Sequence, residues 1–273
     1  MTSMVTLNKI LGERKAHLEK TREEFQLNEL KYRAESQKPG LDLEKTLEVN
    51  KDLNDLSVIG EYKPASPSRG RLSNFKVEEV VKTYQKGGVT AISILTEEKF
   101  FKSSLENLKT SSANSSTPLI RKDFIMDEYQ IYEARGAGAS SLLLMVNIYP
   151  DLESGISLSR DLGMEPLVEC SNREQVHLAK KSGARIIGIN NRNFQDFSID
   201  FKRTLKMAQH VPDDLLVVSE SGVNGPRDLQ LLAEYGADAV LVGSSIMTSN
   251  SIKNLSVSVK SLVDASKGVR VGR

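Results

Sequence analysis

Eight short apolar runs recur along this chain, with helical patterns between them. Four of the runs end in charged residues, and the other four are each introduced by a Gly-Val or Gly-Ala pair. Regular alternation of strand and helix, with no consecutive strands, is typical of α/β folds with a parallel sheet. Eight repeats with charges on every odd strand favour a (β/α)8 TIM barrel over an open doubly wound sheet. The predicted strands lie at 57–63, 89–95, 118–122, 140–146, 164–169, 185–190, 215–220 and 239–242.

A helical extension precedes the first predicted strand. Apolar residues at helical spacing predict one helix from residue 1 to about residue 35. Pro39-Gly40 ends this pattern, and a second short helix is predicted over 43–51. The length of 273 residues fits a single TIM-barrel domain, 1–273, in which residues 1–50 form the N-terminal helical extension.

Composition excludes several classes of protein. Hydrophobic residues make up 39% of the chain, and 37 Lys and Arg against 36 Asp and Glu leave no basic excess for nucleic acid. No apolar run is long enough to span a bilayer, and the N-terminus lacks a signal-peptide core, so a cytoplasmic protein without membrane contact is expected. A serine-rich segment at 109–117 predicts a loop or a frayed helix end.

Metal and cofactor chemistry is not indicated. The three histidines lie in predicted helices or loops without the spacing of metal ligands, and no glycine motif for a dinucleotide or nucleotide is present. The single cysteine, Cys170, excludes an internal disulfide framework, and it fits a small buried residue better than a nucleophile. We therefore expect no metal and no cofactor.

Charged residues at the ends of the odd strands predict a catalytic site. Alternate strands of a (β/α)8 barrel contribute side chains to the same layer, so Lys63, Lys122, Glu169 and Glu220 are expected to meet at the barrel mouth. Two lysines and two glutamates are too costly to desolvate for packing alone. Burial is expected to lower the pKa of Lys122 and make it a general acid, with Glu169 as the candidate base.

The first of these strands carries a second charge. Glu61 lies two residues before Lys63, so both side chains point to the same face of the strand and can pair. Ser66 follows between two prolines whose φ angles are fixed, which suits a hydroxyl that positions a ligand. The alternative is an ordinary strand-end ion pair followed by an ordinary turn.

Loops after the later strands carry groups that suit an anionic substrate. Asn190 and Arg192 follow the sixth strand and offer hydrogen-bond donors for a carboxylate, hydroxyl or phosphate. The loops after the seventh and eighth strands are the usual phosphate site of such barrels, where backbone N–H groups approach the anion. The candidate residues in these two loops are Ser221, Gly222, Gly243 and Ser244.

Taken in order, these segments resemble the indole-3-glycerol phosphate synthase family over nearly the whole chain. The motifs that carry the resemblance are 61–70, 93–97, 119–125, 129–136, 165–169, 188–192, 219–223 and 242–247, together with the leader at 7–10. The resemblance implies closure of an indole ring on 1-(2-carboxyphenylamino)-1-deoxyribulose 5-phosphate, with release of carbon dioxide and water. It also implies a reaction without metal or cofactor.

The resemblance assigns roles to the candidate residues. Lys122 is the implied general acid, and Glu169 is the implied proton-transfer partner, chiefly in dehydration. Lys63 beside Glu61 is implied to hold the substrate carboxylate, and the division of acid catalysis between Lys63 and Lys122 stays open. Asn190 and Glu220 are implied to position the hydroxyls and the anilino nitrogen of the substrate. The implied phosphate site consists of Ser66, Gly222, Gly243 and Ser244, with Arg192 supporting the mouth.

Two other interpretations remain open at this stage. A catalytically retired barrel that binds a phosphosugar or a partner protein is the first, although Lys122 and Glu169 are both present. A different phosphate-binding barrel enzyme, such as the neighbouring isomerase of the same pathway, is the second. That isomerase needs a Cys and Asp pair, and Cys170 lies on the wrong strand for that role. The turn at 101–104 lacks the glycine that the family often has there, and the sequence leaves open whether the protein is a monomer or a homodimer.

Overall fold

Eight parallel strands close into a barrel in the computed structural model, which describes residues 6–193, 196–269 and 272. Each strand pairs with the next one along the chain, and the eighth pairs with the first through the register Ser57 to Ala239. The (β/α)8 barrel is therefore confirmed, with every predicted strand in place. The strands are Ser57–Tyr62, Ala91–Leu95, Leu119–Lys122, Ser141–Met145, Leu167–Cys170, Ile186–Asn190, Leu216–Glu220 and Ala239–Val242.

The strands are apolar on both faces because each face meets a different part of the core. Side chains alternate along a strand, so Ile59, Ile120 and Leu167 point into the barrel, where they pack in one cluster. Their neighbours Val58 and Val168 point outward and pack in a second cluster beneath the surrounding helices. This double burial explains the continuous apolar runs of the sequence.

Helices follow the strands and cover the outside of the barrel. In the first of them, Val80, Val81 and Tyr84 lie on one face and are completely buried. On the opposite face of this helix, Glu79 and Lys82 are exposed to solvent, as the amphipathic pattern predicts. These helices are Val77–Gly87, Leu105–Asn114, Glu128–Gly136, Leu152–Asp161, Arg173–Lys181, Lys202–Ala208, Pro226–Glu234, Ser244–Met247 and Ile252–Ala265.

The serine-rich segment is more regular than predicted. Residues 109–114 belong to the helix Leu105–Asn114, so the prediction of a loop or frayed end is wrong for most of this segment. Leu108 and Ser111 are completely buried, and the Ser111 hydroxyl donates 2.7 Å to the backbone oxygen of Asn107. Tertiary burial outweighs the weak helix propensity of serine here.

The N-terminal extension is helical, but two helices stand where the sequence predicts one. It consists of α1 (Leu7–Glu24), α2 (Leu27–Glu35) and α3 (Leu43–Asp52), and residues 1–5 lie outside the described part. Phe25 and Gln26 are extended, which breaks the single helix that the periodicity predicts. The hydroxyl of Tyr129 donates to the backbone oxygens of Thr21 and Phe25, both at 3.0 Å, and so satisfies carbonyls at the end of α1. Within the described ranges, no helix is long and apolar enough to cross a membrane.

Candidate active site

A single cavity at the carboxyl ends of the strands contains every predicted site residue. The carboxylates and lysines come from the odd strands or the residue just after them, Asn190 ends the sixth strand, and the other groups come from the loops that follow strands one, six, seven and eight. The topology therefore brings together all the residues that the sequence singled out: Glu61, Lys63, Ser66, Lys122, Glu169, Asn190, Arg192, Glu220, Ser221, Gly222, Gly243 and Ser244.

Glu61 and Lys63 form the ion pair predicted for the first strand. Lys63 Nζ donates to Glu61 Oε2, and the side chain of Glu61 is only 4% exposed. Gly243 makes room for this carboxylate, because a Cβ atom at that position would lie 2.3 Å from Glu61 Oε2. A glycine is thus required at position 243 to accommodate Glu61. The sequence analysis missed this requirement, because it assigned Gly243 only to the approach of a phosphate.

Lys122 lies between two carboxylates of neighbouring odd strands. Its Nζ is 3.1 Å from Glu220 Oε2 and 3.6 Å from Glu169 Oε2. Burial disfavours the ammonium, but the charges of Glu220, Glu169 and Glu61 outweigh burial and raise the pKa of Lys122 above its ordinary value. The predicted lowering of this pKa is therefore wrong. The sequence placed the same carboxylates at the mouth, but it did not give their distances from the ammonium, which decide whether their charges outweigh burial.

Glu220 lies in an environment that favours its neutral form. Burial raises its pKa to about 7 despite the attraction of Lys122, and the charge of Glu169 adds to the effect. Its Oε1 is buried and has no hydrogen-bond partner within the described ranges, and a Cβ at Gly188 would lie 2.4 Å from that oxygen. A carboxyl group that exchanges a proton near neutral pH, next to a charged ammonium, suits proton transfer.

Glu169 and Asn190 form the next contact around the cavity. The amide of Asn190 donates 3.3 Å to Glu169 Oε1, while Asn190 Oδ1 accepts a 3.0 Å hydrogen bond from the backbone of Arg192. Both side chains are almost completely buried. The amide is therefore fixed in orientation and holds Glu169 next to Lys122.

The far side of the cavity is suited to an anion. Ser221 and Gly222 both adopt left-handed backbone conformations, with φ of 68° and 102°. Ser244 opens the short helix Ser244–Met247. The pKa of Arg192 is lowered by burial and by the nearby charge of Arg69, so two guanidinium groups lie close together at the mouth. Arg69 was not among the predicted site residues.

Comparison with known proteins agrees with this geometry. The model of the indole-3-glycerol phosphate synthase family matches residues 7–259. The chain belongs to this family. It is thus an enzyme, a carboxy-lyase of tryptophan biosynthesis that forms indole-3-glycerol phosphate, and the predicted family, fold and reaction are confirmed.

Two curated members of the indole-3-glycerol phosphate synthase family illustrate the similarity. The synthase of Methanothermobacter marburgensis is 46% identical over 220 residues, which cover 81% of this chain and 78% of that protein. The synthase of Leuconostoc mesenteroides is 46% identical over 197 residues, which cover 70% of this chain and 75% of that protein.

Solved structures of lower identity share the fold alone. A tryptophan synthase structure from Mycobacterium tuberculosis superposes with a TM-score of 0.64 at 12% identity, covering 84% of this chain and 99% of that one. Thiamine phosphate pyrophosphorylase from Pyrococcus furiosus gives a TM-score of 0.60 at 16% identity, covering 79% of this chain and 98% of that one.

The synthase cavity also has an apolar wall that sequence reasoning missed. Phe101 and Phe124 line it with their ring centroids 6.3 Å apart, and Ile10 reaches it from α1. Glu97 fixes Phe101, because its carboxylate accepts hydrogen bonds from the backbone N–H groups of residues 99, 100 and 101 at 2.7–3.0 Å. The sequence did contain a signal for this wall. Phe124 lies in the segment 119–125 and Phe101 in the turn 101–104, and each follows a barrel strand.

Within the described residues, neither a metal-binding cluster nor the thiol of Cys170 adds to the site. Across the described part of the chain, no group of three or more His, Cys, Asp or Glu residues is arranged to hold a metal ion. Cys170 is completely buried, and burial raises the pKa of its thiol, with the charges of Glu169 and Glu220 adding to the shift. A neutral, buried thiol agrees with the prediction of a packing residue.

Proposed function

We propose that Lys122 is the general acid of indole-3-glycerol phosphate formation in this cavity. The observation that carries this assignment is the position of its ammonium in a partly apolar pocket, 3.1 Å and 3.6 Å from two carboxylates. The raised pKa keeps Lys122 protonated at neutral pH, so its ammonium carries the proton that ring closure needs. The same shift makes Lys122 a weaker acid than the lowered pKa predicted from the sequence would, so the assignment depends on the position of the ammonium and not on its acidity.

Ring closure follows from this arrangement. The ring carbon that bears the carboxylate attacks the ketone carbon of the substrate, and Lys122 donates its proton to the ketone oxygen, which becomes a hydroxyl. The carbon–carboxylate bond then breaks, carbon dioxide leaves, and its electron pair restores the aromatic ring. Loss of the hydroxyl as water, with a proton supplied by an acid and another removed by a base, completes the indole.

The two glutamates near Lys122 are suited to the later proton transfers. Glu169 is our candidate for the base and acid of dehydration, because Asn190 holds it beside Lys122. Glu220, whose pKa is near 7, can accept or donate a proton at physiological pH. We place Glu220 and Asn190 against the hydroxyls and the anilino nitrogen of the substrate.

Lys63 is proposed to bind the carboxylate that is lost as carbon dioxide. Its ammonium is already oriented by Glu61, so a substrate anion meets a charge whose position is fixed before binding. The phosphate lies at the other end of the cavity in this proposal, against Ser66, Ser221, Gly222, Gly243, Ser244 and Arg192. Its binding energy fixes the reacting carbon near Lys122.

We extend the proposal to the rest of the chain as follows. Residues 1–273 form one TIM-barrel domain with residues 1–50 as its extension, a proposal supported by the contact of Ile10 with the cavity. The partner is a small phosphosugar-anthranilate substrate, with neither nucleic acid nor membrane involved and no cofactor. A cytoplasmic location stays a prediction from composition.

The test is turnover of the purified protein without added metal, in the presence of a chelator. Indole-3-glycerol phosphate is followed by its fluorescence, and released carbon dioxide is measured in the same samples. We expect one molecule of carbon dioxide for each molecule of indole-3-glycerol phosphate formed. Substrate binding without turnover would instead support the catalytically retired barrel.

A further inference from the structure

The turn after the seventh strand adopts an unusual backbone conformation. Ser221 and Gly222 both have positive φ angles, 68° and 102°, and Ser221 carries a Cβ atom that disfavours this region. Successive N–H groups in such turns point into one concavity, which suits an anion. A serine held in this conformation requires support from its surroundings.

That support comes from Asn191. Its amide Nδ2 donates 3.2 Å to the backbone oxygen of Ser221 and 2.9 Å to the hydroxyl of Ser219. The backbone N–H of Asn191 also donates 2.9 Å to the carbonyl of Glu220. Asn191 therefore contacts three successive residues of the neighbouring strand end, the last of which begins the turn.

A second residue fixes the orientation of the Asn191 amide. The hydroxyl of Thr204 donates 2.8 Å to Asn191 Oδ1 and lies 2.8 Å from the Ser219 hydroxyl. Asn191, Thr204 and Ser219 are all completely buried. With Oδ1 and Nδ2 both engaged, the amide cannot rotate without losing hydrogen bonds in an apolar environment.

Asn191 does not itself face the cavity. Its neighbours Asn190 and Arg192 line the cavity, whereas Asn191 points to the outside of the strand, toward the helix Lys202–Ala208. Asn191 therefore acts on the substrate only indirectly, through the strand end and the turn that it holds.

We propose that Asn191 is a positioning residue that keeps the Ser221–Gly222 turn preformed for the substrate phosphate, with Thr204 fixing its orientation. This inference rests on the proposed placement of the phosphate at that turn. It predicts a defect in substrate affinity rather than in chemistry, because the side-chain contacts of Lys122, Glu169 and Glu220 do not involve the Asn191 side chain.

The first test compares Asn191→Ala with Asn50→Ala. Asn50 also bridges two side chains, at 2.9 Å and 3.0 Å, but these are Thr90 and Ser57 at the amino end of the barrel. We expect the KM of Asn191→Ala to rise about tenfold, as the loss of buried hydrogen bonds allows, with kcat within a factor of about three. Asn50→Ala should lower the midpoint of urea unfolding and leave KM unchanged. A fall in kcat at constant KM for Asn191→Ala would overturn the inference.

A second test asks whether the defect arises from the backbone of residue 221. Glycine adopts positive φ without penalty, so in a Ser221→Gly background the substitution Asn191→Ala should raise KM by much less than it does in the wild type. An equal rise in both backgrounds would show that Asn191 acts by another route. Should Asn191→Ala not fold, Thr204→Val is the substitute, with a smaller rise in KM expected and an unchanged KM refuting the idea.

Hydrogen exchange separates this inference from the proposed function. The amides of residues 221–223 should exchange faster in Asn191→Ala than in wild type, and inorganic phosphate should slow exchange there in the wild type. If wild type fails to form indole-3-glycerol phosphate while this exchange pattern holds, the proposed function fails and the positioning role stands. Unchanged exchange in an active enzyme would refute the positioning role alone.

Discussion

Glu220→Gln is expected to stabilise the folded protein at alkaline pH while abolishing most of its activity. Burial raises the pKa of Glu220 from 4.5 to about 7, more than the attraction of Lys122 offsets. Between these two pH values the folded state binds more protons than the unfolded state, so the free energy of unfolding falls as pH rises. One pKa unit corresponds to about 1.4 kcal/mol, which makes the penalty about 3 kcal/mol above pH 7. Glutamine has the shape of the neutral acid and avoids this penalty.

The assay is urea unfolding, followed by circular dichroism, of both proteins from pH 4.5 to pH 8.5. We expect equal stability at the acid end and a variant that is more stable by up to about 3 kcal/mol at the alkaline end. Glu153→Gln, a substitution of an exposed glutamate on the helix Leu152–Asp161, serves as the control and should follow the wild-type curve. If wild type and Glu220→Gln lose stability in parallel over this range, the argument from burial is refuted.

Three other substitutions test the walls of the cavity. Ser244→Ala should raise KM several-fold with little change in kcat, and a pure loss of kcat would argue against a phosphate contact. Gly243→Ala places a Cβ 2.3 Å from Glu61 Oε2 and should displace that carboxylate, lowering kcat/KM at least tenfold; wild-type kinetics would refute the close approach. Glu97→Gln can no longer accept all three backbone hydrogen bonds and should free Phe101, raising KM and the accessibility of the loop to protease, whereas an unchanged KM would show that the aromatic wall is not needed for binding.

The fold was predictable because the constraints that set it are local. Each strand is a short apolar run between helical patterns, and double burial makes such runs continuous rather than alternating. The position of a charge at the end of an odd strand is enough to place it at the mouth, which is why Lys122, Glu169 and Glu220 were found together. Their roles in catalysis stay predictions.

The features that were missed depend on contacts between distant residues. The sign of the pKa shift of Lys122 depends on how the charges of three carboxylates from three other strands balance the effect of burial. No local sequence pattern gives that balance. The break at Phe25 is stabilised by the hydroxyl of Tyr129, which lies more than a hundred residues away in sequence. Gly243 was assigned to a phosphate, whereas its contact with Glu61 becomes visible only once the barrel has closed.

Lys122→Met tests the central claim most directly. Methionine keeps much of the side-chain volume but has no proton to donate, and the loss of a general acid costs roughly 10²–10⁴-fold in rate. The measurement is indole-3-glycerol phosphate formation by wild type and variant side by side, with the slowing of hydrogen exchange at residues 221–223 by inorganic phosphate as a check on the binding site. We expect turnover of the variant to fall by roughly 10²–10⁴-fold, and phosphate to slow exchange at these amides equally in both proteins. Turnover by Lys122→Met close to that of wild type would contradict the assignment of Lys122 as the acid.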